Sequence, residues 1–251
     1  MLKKGILFFF LCAVGLPGFG QIQKLCDYGI LPTDNVTMLE VNPSLTAIDD
    51  SKGVSSSQLL FKTYHAINVH YNWGIETPLA RYESAEKSVS GLGDILANAT
   101  WSTFSDETQY GYGAKMEIFL PTATDKLLGS GQLQASPSIF VWRRFSSGIY
   151  VAGGYKHYVS VIGDHAREDI DMGRFRINVS YLSPANWWIQ TNWYYHQNFR
   201  QSGKMEFIPE AEVGTLVSSG TALYLVGSTH AGGNMHSKDW TLGVGFKILY
   251  L

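Results

Sequence analysis

Acidic and basic side chains recur at every second position in several stretches of the sequence. In one of them Lys115 and Glu117 alternate with Ala114 and Met116. Side chains at every second position of a β-strand share a face. If these faces enclose one interior, charges of both signs on its walls would select the ions or solutes that pass. The residues predicted to line this interior are Glu76, Asp94, Lys115, Glu117, Arg174, Arg176, His196, Glu206, Glu210, Glu212 and Lys247.

The same charges also have a purely structural interpretation. They could pair with one another across a narrow interior and fill it without contacting any solute. Asp94 has two interpretations as well, because it directly follows Gly91-Leu92-Gly93, where the backbone can turn. It could act on a solute, or it could begin a strand and accept backbone hydrogen bonds. The sequence leaves these alternatives open.

A hydrolytic enzyme would need a serine or aspartate nucleophile with a histidine beside it. The candidate residues are His157, His196, Ser160, Ser180, and the pair Asp164 and His165. None lies in a recognisable motif such as Gly-x-Ser-x-Gly, and 7 histidines in 251 residues make chance pairs common. The sequence therefore predicts no catalytic residue and no enzyme, with a barrel enzyme acting on lipids as an alternative.

Neither a metal site nor a cofactor is predicted. His65 and His70 lack further ligands at the usual spacing, and so do His230 and His236. These histidines are therefore interpreted as ordinary polar residues.

The elements that would position the charged residues are strands, and the clearest two lie between residues 172 and 200. They meet at the turn Ser183-Pro184-Ala185. Their apolar faces are Phe175, Ile177, Val179 and Tyr181, then Trp187, Ile189, Thr191, Trp193 and Tyr195; Trp188 and Tyr194 interrupt the pattern. Aromatic residues at the ends of the apolar face are typical of strands that cross an outer membrane.

Further strands of membrane-spanning length are predicted at 69–79, 110–120 and 240–250. With a first strand at 36–47 the count is twelve, and ten is the alternative, because single-chain bacterial barrels have even strand numbers. A bulge or local disruption is expected at Pro137, since proline cannot donate to a strand ladder. No helical period competes with this interpretation.

Composition agrees with a membrane barrel of one domain. Charged residues make up 16% of the chain and aromatic residues 14%, and there are 26 glycines. Beyond the N-terminus no apolar run approaches the roughly 18 residues of a membrane helix, so strands would have to do any spanning. With a formal net charge of -2 and no basic run, nucleic acid is not an expected partner.

The N-terminus has the pattern of a signal peptide at residues 1–20. Lys3 and Lys4 precede an apolar core at 6–14, and Gly18-Phe19-Gly20 precedes the expected cleavage site. Cleavage would leave Cys26 as the single cysteine, which excludes an internal disulfide. Residues 21–50 are predicted to form a plug or a first strand, and residues 51–251 the barrel.

Several short motifs carry a resemblance to a known family. They are Glu76-Thr77-Pro78-Leu79-Ala80-Arg81-Tyr82, Gly91-Leu92-Gly93-Asp94, Leu120-Pro121-Thr122 and Gly129-Ser130-Gly131. With them the chain resembles the outer-membrane β-barrel transporters named for the MetA-pathway of phenol degradation. That family is related to the twelve-stranded secretion channel for bacterial functional amyloid. The end of the signal peptide is similar to those of exported Bacteroidetes proteins. The resemblance implies an outer-membrane barrel that carries small solutes.

The sequence as a whole predicts an all-β protein, a transmembrane antiparallel β-barrel of about twelve strands in the bacterial outer membrane. Its partners would be outer-membrane lipid and small solutes, hydrophobic or aromatic ones among them, with a loop at 164–171 as a gate. A plugged structural or export barrel is the main alternative, and a secreted soluble β-sandwich is another. Association into a homo-oligomer is left open.

Overall fold

The computed structural model describes residues 36–103, 109–145, 148–163 and 167–250. The predicted signal peptide, Cys26 and the pair Asp164 and His165 lie outside these residues. The described chain is almost entirely β-structure, with one short 3₁₀ helix at Asp50–Lys52. None of its helices is long and apolar enough to span a bilayer.

Fourteen strands occur in the described residues. They are β1 (Thr37–Asp49), β2 (Val54–Ala66), β3 (Tyr71–Glu83), β4 (Ser88–Leu92), β5 (Ile95–Ser102), β6 (Tyr110–Leu120), β7 (Gln132–Arg144), β8 (Ile149–Gly163), β9 (Asp171–Leu182), β10 (Trp187–Asn198), β11 (Lys204–Ser218), β12 (Thr221–Thr229), β13 (Gly232–Gly233) and β14 (Trp240–Tyr250).

The strands form one closed antiparallel barrel. The strands pair in the order β1-β2-β3-β5-β6-β7-β8-β9-β10-β11-β12-β14, and β14 pairs with β1, so the ring is closed. Both β4 and β5 pair with β3, and both β12 and β13 pair with β11, so each of these pairs fills a single place in the ring. The barrel therefore has twelve strand positions, which confirms the predicted count.

The apolar faces of the strands point outward. Phe175 is 51% exposed, Ile177 50% and Trp193 45%, and exposed apolar residues recur on nearly every strand. A two-layer sandwich would bury such side chains between its sheets. Their exposure therefore excludes the soluble sandwich and leaves an outer surface suited to hydrocarbon.

The inward faces are polar over most of their length. Buried polar residues include Glu40, Glu117, Asn178, Asn192, Glu206 and Lys247. Buried charges need partners, because an isolated one is costly in a low-dielectric interior. The barrel interior is therefore where the charged residues of the sequence have to pair.

One end of the barrel is filled by apolar side chains. We call it the lower end; it is the end at which β1 begins and β14 finishes. The apolar layer there consists of Met38, Trp142, Tyr150, Ala152, Leu182, Trp188, Ala222, Tyr224 and Leu249. These residues come from strands on opposite sides of the ring, β1 and β7 among them, so the layer crosses the interior.

Glycines on neighbouring strands make room for the large rings of the apolar layer. A Cβ atom at Gly214 would collide with the indole of Trp188, and one at Gly245 would collide with the ring of Tyr224. Each ring therefore occupies the space that a side chain at the glycine position would need.

The wall has an irregularity where the sequence predicted one. Pairing between β7 and β8 lapses between Ala135 and Ser138, on either side of Pro137, whereas Pro137 keeps its register with Met116 on β6. The local disruption expected at Pro137 is therefore present, because proline has no N–H to offer one of its two neighbours, whereas the bulge of this strand pair lies earlier, between Leu133 and Gln134.

Candidate functional site: the barrel interior

A cavity of about 350 Å³ lies inside the barrel, against β2, β3 and β6 to β9. Its charged lining residues are Lys62, Glu76, Lys115, Glu117, Lys156, Arg174 and Arg176. Five of the residues predicted from the sequence thus meet at one cavity. The inward alternation of their strands brings them there.

Each carboxylate of the cavity lining has a partner. Glu117 lies between two lysines, with Lys115 Nζ at 2.9 Å and Lys156 Nζ in direct contact on its other oxygen. Glu76 accepts a hydrogen bond of 2.6 Å from the hydroxyl of Tyr64. These contacts hold the acidic groups against the wall.

A second charge cluster lies next to the apolar layer. Glu40 is bonded to Lys62 Nζ at 2.7 Å, lies 3.9 Å from Lys247 Nζ, and accepts a 2.5 Å hydrogen bond from Tyr224. Asn42 in turn donates to the Tyr224 hydroxyl at 2.8 Å. The predicted residue Lys247 therefore serves a buried network.

Sequence reasoning missed Glu40 and Lys62 of this cluster, and it missed Lys156 of the cavity. Each lies on the polar face of its strand, so the alternation rule that identified Lys115 and Glu117 could have found them.

The two arginines of β9 interact mainly with aromatic rings and an amide. The Arg174 guanidinium lies 5.4 Å from the ring centre of Tyr158 and 5.1 Å from that of Tyr194. Arg176 lies 5.7 Å from the Tyr194 ring and donates through Nε to Asn192 Oδ1 at 2.9 Å. Such stacking holds guanidinium groups in place without neutralising them.

Two predicted glutamates of β11 accept hydrogen bonds from uncharged donors. Glu210 accepts from Asn192 Nδ2 at 2.9 Å and from the Tyr194 hydroxyl at 3.1 Å. Glu212 accepts from the indole N–H of Trp188 at 2.8 Å. They lie on the wall next to the arginines of β9, with β10 between them.

At the upper end, the connection from β12 to β14 folds against Glu206. This fully buried carboxylate accepts hydrogen bonds from the Ser237 N–H and hydroxyl at 2.8 and 2.9 Å. His230 Nδ1 lies 3.2 Å from it and His196 Nδ1 lies 3.6 Å from it. In the same connection, burial lowers the pKa of Lys238. The predicted residues His196 and Glu206 thus hold a loop at the barrel mouth.

Asp94 lies away from the cavity, at the break between β4 and β5. Its carboxylate accepts hydrogen bonds from the N–H groups of Ala123 and Ser130 at 3.2 and 2.6 Å, and from the Ser130 hydroxyl at 2.8 Å. It therefore ties down the loop between β6 and β7, as a strand-start aspartate that accepts backbone hydrogen bonds would.

The candidate catalytic pairs do not assemble in the described residues. His157 contacts Tyr155 and Asp171, and Ser160 bonds to the backbone of Ile170. Ser180 bonds to neighbouring amides, and His196 faces Glu206. No group of three or more His, Cys, Asp or Glu side chains within the described ranges is arranged to hold a metal ion.

A closed twelve-strand antiparallel barrel with an apolar outer face and a charged interior has the architecture of an outer-membrane channel. No protein-family model and no curated protein sequence matches the chain. Solved structures do match its fold.

The chain is similar to the COG4313 outer membrane channel from Pseudomonas putida F1, with a TM-score of 0.72, 13% identity, and coverage of 92% of this chain and 100% of that one. It is also similar to the NanC porin, with a TM-score of 0.62, 9% identity and coverage of 85% and 100%. A third similar structure is the CymD monoaromatic hydrocarbon channel, with a TM-score of 0.51, 9% identity and coverage of 93% and 95%. These proteins are channels and porins, not enzymes. At sequence identities this low, the similarity shows a shared fold and no more.

Proposed function

We propose that this protein is a channel in the bacterial outer membrane for the passive passage of a small solute. The observation that carries the proposal is a closed barrel, apolar outside, that encloses a charged cavity of about 350 Å³. A lipid-facing exterior and a hydrated interior are what a diffusion channel requires. The fold similarity to channels and porins supports the same function and location.

The path of the solute would run along the inward faces of β2, β3 and β6 to β11. In this proposal the residues predicted from the sequence, other than Asp94 and Lys247, line or border that path. A hydrophobic or aromatic solute is supported by Phe140 and Ala152, which line the cavity beside its charges. The printed description of CymD as a monoaromatic hydrocarbon channel is consistent with this solute class.

Loops at the upper end would control entry. Arg167 donates to the carbonyls of Gly129 and Lys126 at 2.6 and 3.1 Å, and Gln201 donates to Glu168 at 2.9 Å. These contacts link three neighbouring loops across the mouth. The proposed gate at 164–171 would therefore move together with its neighbours.

A second candidate function is a barrel that stays closed and serves a structural or export role. The apolar layer favours it, because nine buried residues cross the lower end and leave the charged interior without a polar exit there. Deleting residues 21–50 as a possible plug would not separate the two candidates, because residues 37–49 form β1 and the deletion would remove a strand of the barrel wall. A mutation that opens the apolar layer separates them better.

Planar-bilayer recordings on the purified protein test the channel. We expect discrete conductance steps, and we expect Glu210→Gln with Glu212→Gln to shift ion selectivity towards anions, because two negative charges leave the wall. Glu83→Gln is the matched control, since Glu83 is exposed and forms an ion pair with exposed Arg81. Complete absence of conductance in folded protein would reject the open channel and favour the closed barrel.

A further inference from the structure

The two arginines of β9 have positive charges that the described part of the chain does not neutralise. Within the described residues, Arg174 and Arg176 have no carboxylate at ion-pair distance. Their contacts are the rings of Tyr158 and Tyr194 and the amide oxygen of Asn192. The nearby Glu210 is occupied by Asn192 and Tyr194, which lie between it and Arg176.

The cavity lining carries more positive than negative charge, and Arg174 and Arg176 account for the excess. Lys115 and Lys156 share Glu117, and Lys62 is paired with Glu40 outside the lining. The remaining carboxylate, Glu76, is held by the Tyr64 hydroxyl. Two lysines and two arginines therefore face two carboxylates, which leaves a surplus of two positive charges. A bound anion stabilises such a surplus of partly buried positive charge.

The cavity also has an apolar side. Phe140 and Ala152 line it together with the arginines; Ala152 belongs to the apolar layer, and Phe140 packs against that layer. A volume of about 350 Å³ is at the small end of ligand sites, enough for one small molecule. The cavity thus combines cationic groups with an aromatic side chain.

We propose that this cavity is a binding site for a small aromatic carboxylate. Its carboxylate would accept hydrogen bonds from Arg174 and Arg176, and its ring would pack on Phe140. The inference deepens the proposed channel function by naming the solute class. Binding itself does not require that the barrel conduct, so the two can fail separately.

Isothermal titration calorimetry of the folded protein in an uncharged maltoside detergent tests the site. The probes are sodium benzoate, benzyl alcohol as its neutral analogue, sodium acetate, which lacks the ring, and inorganic phosphate. We expect benzoate to bind more tightly than the other three. Arg174→Gln and Arg176→Gln should each weaken benzoate binding about tenfold, because each removes a charge-assisted hydrogen bond.

Three further variants separate charge, ring and general effects. Arg174→Lys, which retains the charge, should weaken benzoate binding less than Arg174→Gln. Phe140→Ala should weaken benzoate binding about fivefold and leave acetate unchanged. Arg81→Gln is the matched control, because Arg81 is exposed and pairs with Glu83; its benzoate affinity should equal that of the wild type. Anomalous migration on unboiled gels confirms that each variant is folded.

Equal binding of benzoate and benzyl alcohol, or unchanged affinity in folded Arg174→Gln and Arg176→Gln proteins, would overturn the inference. Phosphate binding tighter than benzoate would overturn the aromatic assignment. In bilayers, conductance without benzoate binding would leave the channel standing and remove the site. Benzoate binding without conductance would keep the site and reject the open channel.

Discussion

Trp188 and Trp187 are neighbours on β10 with opposite environments, which makes them a matched pair for mutation. Trp187 is 40% exposed on the outer face, whereas Trp188 is 0% exposed in the apolar layer. The Trp188 indole lies over Gly214, donates to Glu212 at 2.8 Å, and has Lys247 Nζ 5.9 Å from a ring centre. Trp188→Ala would therefore open the layer near its centre.

The expected loss of stability follows from these contacts. Removing a fully buried tryptophan costs about 3–5 kcal/mol through lost burial and the cavity left behind. Loss of the indole N–H leaves buried Glu212 without that donor, which adds about 1–3 kcal/mol. Trp187→Ala should cost less, since lipid or detergent fills the space on the outer face and no internal cavity forms.

Two measurements check this prediction. Urea titration of protein folded in vesicles, followed by tryptophan fluorescence, should give a lower free energy of unfolding for Trp188→Ala than for Trp187→Ala. Single-channel recordings should show higher conductance for Trp188→Ala alone, because a polar exit opens at the lower end. Equal stability losses with unchanged conductance in both variants would refute the view that the apolar layer supports the barrel and restricts passage at its lower end.

Three further predictions concern packing, acidity and charge. Gly245→Ala should push the Tyr224 ring from its place and lower stability by about 1–3 kcal/mol, measured as the temperature at which the folded band on gels is lost. The N–H of Asp50 donates to Asp239 at 2.6 Å, and this bond, with His236 next, lowers the Asp239 pKa. A carboxyl group whose pKa is lowered by folding stabilises the protein above its unfolded-state pKa of about 3.9, and this stability is lost as the pH falls through its folded-state pKa. The NMR signal of the Asp50 amide should therefore titrate below about pH 3.9. Asp239→Asn should abolish that titration. Glu117→Gln should cost about 3–5 kcal/mol in the same urea titration, since two partly buried lysines lose their buried carboxylate; a loss below 1 kcal/mol would contradict the pairing.

The local pattern of the sequence determined most strands and their faces, and the even strand number of bacterial barrels favoured twelve over the alternatives. Alternation with a period of two is a property of each strand alone, so Phe175, Ile177 and Trp193 could be placed outside before any pairing was known. The disruption at Pro137 was predictable for the same reason, because the missing N–H belongs to the residue itself.

Only the tertiary structure decided how the interior is filled. Trp188 looked like an interruption of the pattern, yet it belongs to an apolar layer assembled from strands across the barrel. Asp94 belonged to the same predicted set as Arg174, but it bonds to a loop, whereas Arg174 lies in the cavity without a carboxylate partner among the described residues. Which charges pair depends on register and closure between residues far apart in sequence, and alternation within one strand carries no information about either.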